Sequence, residues 1–343
     1  MKISALLLAT SVLFSASAAL AAPEVVASIK PVHSLVAAIM QGVGEPKLIV
    51  EGVASPHTFT MKPSNARAVE SADMVFWMGP GMEAFLEKPL EALATTATVV
   101  ELGEADGLTK LPFREGGAFE AHEHGHEGHD HAESEGHEHA HEVANENGHD
   151  HDHGHDDHAE KPEDAHDHDH GAFDTHLWLD PENAKAMAVA IEKALAAADP
   201  ENAQAYAANL ETFNRKIDAL NKEIIDTIAP VKDKPFVVFH DAYQYFEAHY
   251  GIRVAGSITV SPEVMPGAER VKEIHQKVQD LGATCVFAEP QFEPKLVQVV
   301  TEGSNAHSGT LDPEGAALKE GPDLYFQLMR SIASNLKDCL SKA

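Results

Sequence analysis

The chain has 343 residues, a formal net charge of −30 and 43% hydrophobic residues. A chain of this length and apolar content can bury the core of two ordinary domains. The strong negative charge argues against nucleic acid or an anionic membrane surface as the main partner.

The first residues, 1–21, predict a cleaved secretory signal peptide. Lys2 precedes an apolar run rich in Leu and Ala, and the small residues Ala19 and Ala21 are typical of a cleavage site. The run is short for a membrane span, and no later segment reaches about 18 consecutive apolar residues. We therefore expect a periplasmic protein whose mature chain begins near Ala22.

Short β-branched runs alternate with helix signals after the signal peptide. Strands are predicted at 25–29, 47–50, 74–78 and 97–102. Pro31 and Pro63 each predict the start of a helix. Short apolar strands between helices predict βαβ units and a parallel sheet, which we assign to an N-terminal lobe over residues 22–199.

This alternation stops in an acidic, histidine-rich tract. Between Glu120 and His170 the sequence has 18 acidic residues, one Lys and 16 of the 23 histidines. Such a composition cannot bury a core, so we expect a disordered insertion at about 115–172 within the N-terminal lobe.

The tract histidines are candidate ligands of weak auxiliary metal sites, because ordering flexible ligands costs roughly 1–2 kcal/mol per residue. They are His122, His124, His126, His129, His131, His137, His139, His141, His149, His151, His153, His155, His158, His166, His168 and His170. Three roles are open: capture and buffering of zinc near a tighter site, a solvated loop with little role, and delivery or sensing of metal for another partner.

The motif DPENA occurs twice, at 180–184 and 199–203, and each copy predicts a helix start. Apolar residues then recur every three or four positions over 200–229, which predicts a linking helix of about 45 Å. A second alternating block over 230–343 predicts a C-terminal lobe. Its strands are predicted at 235–239, within 252–260 and at 283–289, and its helices at 241–250, 266–281, 294–301 and 323–340.

Cys285 and Cys339 are the two cysteines of the chain. In an oxidising compartment a pair predicts one disulfide, with two buried free thiols as the alternative.

Three of the seven histidines outside the tract are candidate metal ligands. His57 follows the strand at 47–50, His176 comes directly after the tract, and His240 ends the strand at 235–239. Ligands bind beyond the carboxyl ends of strands in open α/β sheets, so we expect these histidines to meet at strand ends. Three imidazoles suit Zn²⁺, whereas Mn²⁺ favours more carboxylate oxygens. Asp312, in the loop before the last helix, could reach the same cleft.

The other four histidines are weaker candidates. We interpret His33 as a packing or capping residue, and His249 and His275 as surface or satisfied residues on helices. His307 has no assigned role.

Five segments carry a family resemblance, and they cover nearly all of the mature chain. They are SIKPVHSLVAAIM, SPHTFTMKPSNARAVESADMVFWMGPGMEAFLEKPL, HLWLDPENA, FVVFHDAYQYFEAHYG and GTLDPEG, in that order. Together with the acidic histidine-rich insertion, they resemble the ZnuA-type zinc receptors of ABC transporters, within the metal-binding solute-receptor family. The resemblance implies two α/β lobes with parallel-type sheets joined by one long rigid helix, with the metal in the cleft between them.

The resemblance also implies a ligand set. It assigns zinc to His57, His176 and His240, and related manganese receptors carry a carboxylate at the position of His240. Some zinc receptors have a Glu directly before the first ligand, but this chain has Pro56 there. The fourth ligand is therefore either Asp312, which matches a carboxylate used by manganese relatives, or a water. The two cysteines match a disulfide expected in the C-terminal lobe.

The predicted function is high-affinity zinc capture in the periplasm and delivery to an inner-membrane ABC permease. We expect a monomer that is not an enzyme and binds no nucleic acid. The alternatives are a receptor for manganese or another divalent metal, a structural or adhesive histidine-rich protein, and a periplasmic zinc hydrolase. Three histidines and a water also form catalytic zinc sites, but no predicted helix carries an HExxH motif and no evident Glu base stands beside a candidate ligand.

Overall fold

The computed structural model describes residues 22–114, 119, 173–259, 262, 266–280, 282 and 285–342. The predicted signal peptide and all sixteen tract histidines lie outside the described residues.

Within the described residues, eight strands form two parallel sheets of four strands each. The strands are β1 (Val25–Ala27), β2 (Lys47–Leu48), β3 (Met74–Trp77), β4 (Thr98–Glu101), β5 (Phe236–His240), β6 (Val254–Thr259), β7 (Cys285–Ala288) and β8 (His307–Thr310). The first sheet has the order β2-β1-β3-β4 and the second the order β6-β5-β7-β8. All neighbouring strands are parallel, which confirms the predicted α/β class.

Helices connect the strands in both sheets. They are α1 (Lys30–Ile39), α2 (Pro63–Glu70), α3 (Ala84–Leu93), α4 (Pro181–Ala198), α5 (Ala203–Ile228), α6 (Gln244–Tyr250), α7 (Ala268–Asp280), α8 (Lys295–Thr301) and α9 (Leu324–Leu340). None of the described helices is both long and apolar enough to cross a membrane.

The two sheets have the same strand order. Numbered along the chain, the first and third strands of each sheet lie side by side, and the topological switch point lies between them. In the second sheet this point lies between β5 and β7, whose chains continue in opposite lateral directions. The carboxyl ends of β5 and β7 are His240 and Ala288, and Glu289 follows directly. Crevices of this kind are where open α/β sheets bind ligands.

The long helix α5 connects the two sheets in the chain and packs on helices from both. Its buried face, which includes Phe213, Ile217 and Leu220, contacts a continuous core. It packs against α1 and α4 and also against α9. With 26 residues it is about 39 Å long, shorter than predicted because the helix begins at Ala203 rather than Pro200.

Among the described α-helices and strands, one helix and one strand were not predicted. The helix α3 contains Pro89 and lacks a side-chain cap, so its sequence has no strong start signal. The strand β8 has the sequence HSGT, with no apolar residue and three of its four residues exposed. β8 pairs with β7 at the edge of the sheet. This strand therefore depends on backbone pairing with its neighbour rather than on burial of its side chains.

A disulfide joins Cys285 on β7 to Cys339 on α9, which confirms the predicted pairing. Both residues are buried. The bond attaches the last helix of the chain to the strand beside β5, and so stabilises the sheet that carries His240.

Candidate metal centre

Three histidines from distant parts of the chain meet in one cluster. Ring nitrogens of His57, His176 and His240 lie within 4.8 Å of one another. The centroid of the His57 ring is 5.6 Å from that of His176 and 5.8 Å from that of His240. The His176 and His240 rings are 5.2 Å apart. This separation allows three nitrogen atoms to surround a single cation.

Each histidine is held by a different kind of local structure. His240 is the last residue of β5, as predicted. His57 lies in a 3₁₀ turn, Pro56–Thr58, within the loop that follows β2. His176 directly precedes another 3₁₀ turn, Leu177–Leu179, that leads into α4. The expectation that all three lie at strand ends is therefore wrong for His176, because the chain there forms a turn that starts a helix.

Carboxylates hold two of the three imidazoles from behind. Asp174 Oδ1 lies 2.8 Å from Nδ1 of His176 and also accepts the backbone N–H of His176 at 3.0 Å. Glu289 Oε1 lies 2.6 Å from Nδ1 of His240. An Nδ1–H that donates to a carboxylate leaves the lone pair on Nε2, which is the arrangement found behind metal-binding histidines.

Burial keeps His240 in the protonation state that a metal ligand requires. Because His240 is 2% exposed, desolvation lowers its pKa to about 3, and the neighbouring His57 acts in the same direction. Burial also raises the pKa of Glu289 to about 8 in the metal-free protein, and the positive charge of a bound cation favours the carboxylate form that accepts the His240 Nδ1–H. The His240 imidazole is therefore neutral at pH 7 and can donate its lone pair to a cation.

Asp174 and Glu289 were missed from the sequence. Asp174 stands two residues before His176, a spacing common to many unrelated turns. Glu289 follows β7 immediately, and its contact with His240 depends on β5 and β7 being neighbours. The only signal in the sequence was that Glu289 stands at the end of a predicted strand.

Asp312 is not part of the cluster formed by the described residues. Its carboxylate accepts hydrogen bonds from backbone N–H groups of its own loop, those of Glu314, Ala316 and Ala317, at 3.3, 3.0 and 3.1 Å. The structure thus brings together the three predicted histidines and holds the fourth candidate in a separate set of bonds.

The segments on both sides of the histidine tract are anchored beside the cluster. The backbone N–H of Asp174 donates to Leu111 O at 2.9 Å. Tyr245 Oη on α6 accepts the Leu111 N–H at 3.0 Å and donates to Asp174 O at 2.6 Å. Arg114 pairs with Asp241 and with Glu247, so the chain entering the tract is attached next to His240.

The other histidines have local partners. His33 is buried in α1 and its Nε2 lies 3.0 Å from Pro46 O. His249 pairs with Asp180, and His275 bonds to Val300 O, which confirms their interpretation as satisfied residues. His307 is an exposed residue of β8.

Comparisons with known proteins agree with this arrangement. The sequence profile of the family described as "Zinc-uptake complex component A periplasmic", ZnuA, matches residues 25–339. The chain belongs to the ZnuA family. A ZnuA-family protein of Brucella suis, named high-affinity zinc uptake system protein ZnuA, is 56% identical over 318 residues, which are 93% of this chain and 92% of the relative. A family member of the same name from Yersinia pestis is 37% identical over 97% of this chain and 96% of its own.

Solved structures of ZnuA-like proteins share the fold. A crystal structure of ZnuA is 23% identical with a TM-score of 0.69, covering 93% of this chain and 99% of its own. The periplasmic zinc-binding protein TroA of Treponema pallidum is 16% identical, also with a TM-score of 0.69, over 93% and 99% of the two chains. At these identities the likeness establishes the two-lobe α/β architecture.

Proposed function

We propose that this protein captures zinc with high affinity in the periplasm and delivers it to an ABC permease of the inner membrane. The observation that carries the proposal is the cluster of His57, His176 and His240, two of which have a carboxylate behind Nδ1. The names of its relatives support the same cargo. Zinc is the substrate of this site, and the protein releases it unchanged.

The donor set fits zinc better than a harder cation. Zn²⁺ accepts three neutral imidazoles and one further ligand in a tetrahedron, whereas Mn²⁺ favours carboxylate and water oxygens. The Asp312 carboxylate is bonded within its own loop. We assign the fourth position to a water.

The carboxylates near the cluster support a receptor rather than a hydrolase. A catalytic zinc needs a base that is free to take a proton from the bound water. Asp174 and Glu289 are each bonded to an imidazole that they orient, and Asp241 is paired with Arg114. The geometry therefore favours holding an ion over activating a water.

The same proposal assigns roles to the parts of the chain. Residues 1–21 are the signal peptide, 22–199 the N-terminal lobe with the tract, 200–229 the linking helix and 230–343 the C-terminal lobe. Because α5 packs on helices of both lobes, wide hinge opening is costly. Release of zinc then proceeds through small shifts of the lobes and movement of the loops that carry His57 and His176.

Competition calorimetry with a chelator tests the capture step. The full mature chain should bind one zinc ion tightly, and replacing His57, His176 or His240 with Ala should each weaken that event by at least about tenfold. His249→Ala is the matched control, because His249 pairs with Asp180. A zinc-bound crystal structure should have Zn–N distances of about 2.0–2.1 Å to all three histidines. Tighter binding of Mn²⁺ than of Zn²⁺, or zinc-dependent ester hydrolysis, would contradict the proposal.

Growth under zinc limitation tests the delivery step. Cells that lack this protein should grow poorly when a chelator limits zinc, and the wild-type chain should restore growth. The His240→Ala variant should not. If that variant restores growth, the protein's role in the cell does not depend on the histidine cluster.

A further inference from the structure

A buried lysine from the first helix holds a loop near the end of the chain. Lys30, the first residue of α1, is 6% exposed. Its Nζ donates to the carbonyl oxygens of Ala316 at 2.7 Å and Leu318 at 2.8 Å, and lies 3.5 Å from Gly315 O. An ammonium has three donors and no acceptor, so these carbonyls match its capacity. Lys30 thus connects the two halves of the molecule.

The backbone of the same loop, residues 312–318, also binds the Asp312 carboxylate. Three of its backbone N–H groups donate to the two carboxylate oxygens. Ala316 contributes to both ends, since its N–H donates to Asp312 and its carbonyl accepts from Lys30. Gly315 has a φ of +68°, a left-handed conformation that bends the loop and that other residues rarely adopt. The loop is therefore held between an ammonium and a carboxylate.

The 312–318 loop borders the histidine cluster. Asp312 comes two residues after Thr310, which pairs with Ala288 just before Glu289. Pro313 O accepts the indole N–H of Trp178 at 2.8 Å, and the Trp178 ring lies 5.4 Å from the ring of His176. Asp312 therefore lies beside the site, but its carboxylate bonds to the backbone of its own loop.

We propose that Lys30 and the 312–318 loop form a lock that keeps the Asp312 carboxylate out of the metal's coordination sphere. This inference rests on the proposed zinc-receptor function and names a residue that sets its metal preference. For Asp312 to reach the ion, it must give up three backbone N–H bonds, and the loop must leave Lys30. With Asp312 locked, the ion meets three imidazoles and one open position, which suits Zn²⁺ and disfavours Mn²⁺.

The direct test replaces Lys30 with Met, which keeps an apolar stem of similar length and removes the ammonium. Zinc and manganese affinities are measured on the full mature chain by calorimetry, with a chelator for zinc. We expect the preference for Zn²⁺ over Mn²⁺, the ratio of the two dissociation constants, to fall by at least about tenfold in Lys30→Met. The double variant Lys30→Met, Asp312→Asn should recover the wild-type ratio, because the released carboxylate is then absent.

Lys319→Met is the matched control, because Lys319 is an exposed lysine just beyond the same loop. It should leave the ratio unchanged. An unchanged ratio in Lys30→Met overturns the proposal, and so does a changed ratio that persists in the double variant.

Asp312→Asn alone decides the matter if Lys30→Met does not fold. With the lock intact the carboxylate is no ligand, so zinc affinity should stay within about threefold of wild type. A loss of tenfold or more would make Asp312 a ligand and overturn the proposal. Thermal unfolding verifies that each variant is folded. Failure of wild type to bind zinc would instead overturn the proposed function, so the two failures are distinguishable.

Discussion

The Nε2 atoms of His176 and His240 lie 3.3 Å apart, although the two residues are 64 positions apart in the chain. Carboxylates behind the Nδ1 atoms direct both Nε2 atoms toward the same point. Two lone pairs at this distance repel each other unless a proton or a cation lies between them. The fold therefore holds the rings in an arrangement that a metal ion stabilises.

Removing either carboxylate charge should weaken zinc binding. We expect Asp174→Asn and Glu289→Gln each to lower the zinc affinity by about 10–100-fold, because a partner behind a ligating imidazole orients the ring and raises its basicity. Competition calorimetry measures the change. Asp199→Asn is a suitable control. Asp199 is a buried carboxylate that accepts a hydrogen bond from Tyr206, and it lies at the C-terminal end of α4, whereas His176 lies shortly before the N-terminal end. Equal affinities for all three variants would mean that the carboxylates do not support the ligands.

Local patterns explain which parts of this site were predictable. His240 ends a buried apolar run, and a run of that kind is visible in a few consecutive residues. The contact between His240 and Glu289 is not visible in this way, because it joins positions 49 apart and depends on β5 lying beside β7. Asp312 was a reasonable ligand by residue type. Its loop bonds depend on the backbone shape around Gly315, which composition and periodicity do not reveal.

The disulfide should make a large contribution to stability. The bond between Cys285 and Cys339 closes a loop with a sequence separation of 54. In the chain-entropy account a loop of this size stabilises the folded state by about 4 kcal/mol. Urea unfolding of Cys285→Ser, Cys339→Ser in parallel with wild type should show that loss. A difference below about 1 kcal/mol would mean that the unfolded chain is already constrained in this region.

His33 should make stability depend on pH in the acid range. Burial lowers its pKa from 6.5, although the Pro46 carbonyl, Glu320 and Glu45 act in the opposite direction. Below pH 6.5 the unfolded state therefore binds more protons at this residue than the folded state. The stability that neutral His33 contributes is complete above pH 6.5 and is lost as the pH falls toward the lowered pKa.

The variant His33→Gln isolates this contribution. Metal-free wild type should lose more free energy of unfolding between pH 7 and pH 5 than His33→Gln does, by at most about 1.4 kcal/mol per pH unit. The other titrating groups are common to both proteins and cancel in the comparison. His307→Gln, at an exposed position, should behave as wild type. Parallel pH profiles for wild type and His33→Gln would contradict the assignment of a lowered pKa.

Deletion of residues 120–170 separates the tight site from the tract. The segments on either side are already joined by the bond between the Asp174 N–H and Leu111 O, and Tyr245 bonds to both residues. A deletion that keeps the flanking residues should therefore preserve the fold and leave His176 in place. Calorimetry should show that the tightest zinc-binding event is retained and that several weak ones disappear.

The pH dependence of weak zinc binding provides a second test with the deletion variant. Exposed imidazoles have a reference pKa of about 6.5, so protons should displace zinc from tract sites between roughly pH 7 and pH 5. The cluster of His57, His176 and His240 should keep zinc to lower pH, because burial already holds His240 neutral there. At pH 5 the intact and deleted proteins should then bind the same number of ions, whereas at pH 7 the intact protein should bind more. Loss of the tightest event on deletion would instead place the principal site in the tract.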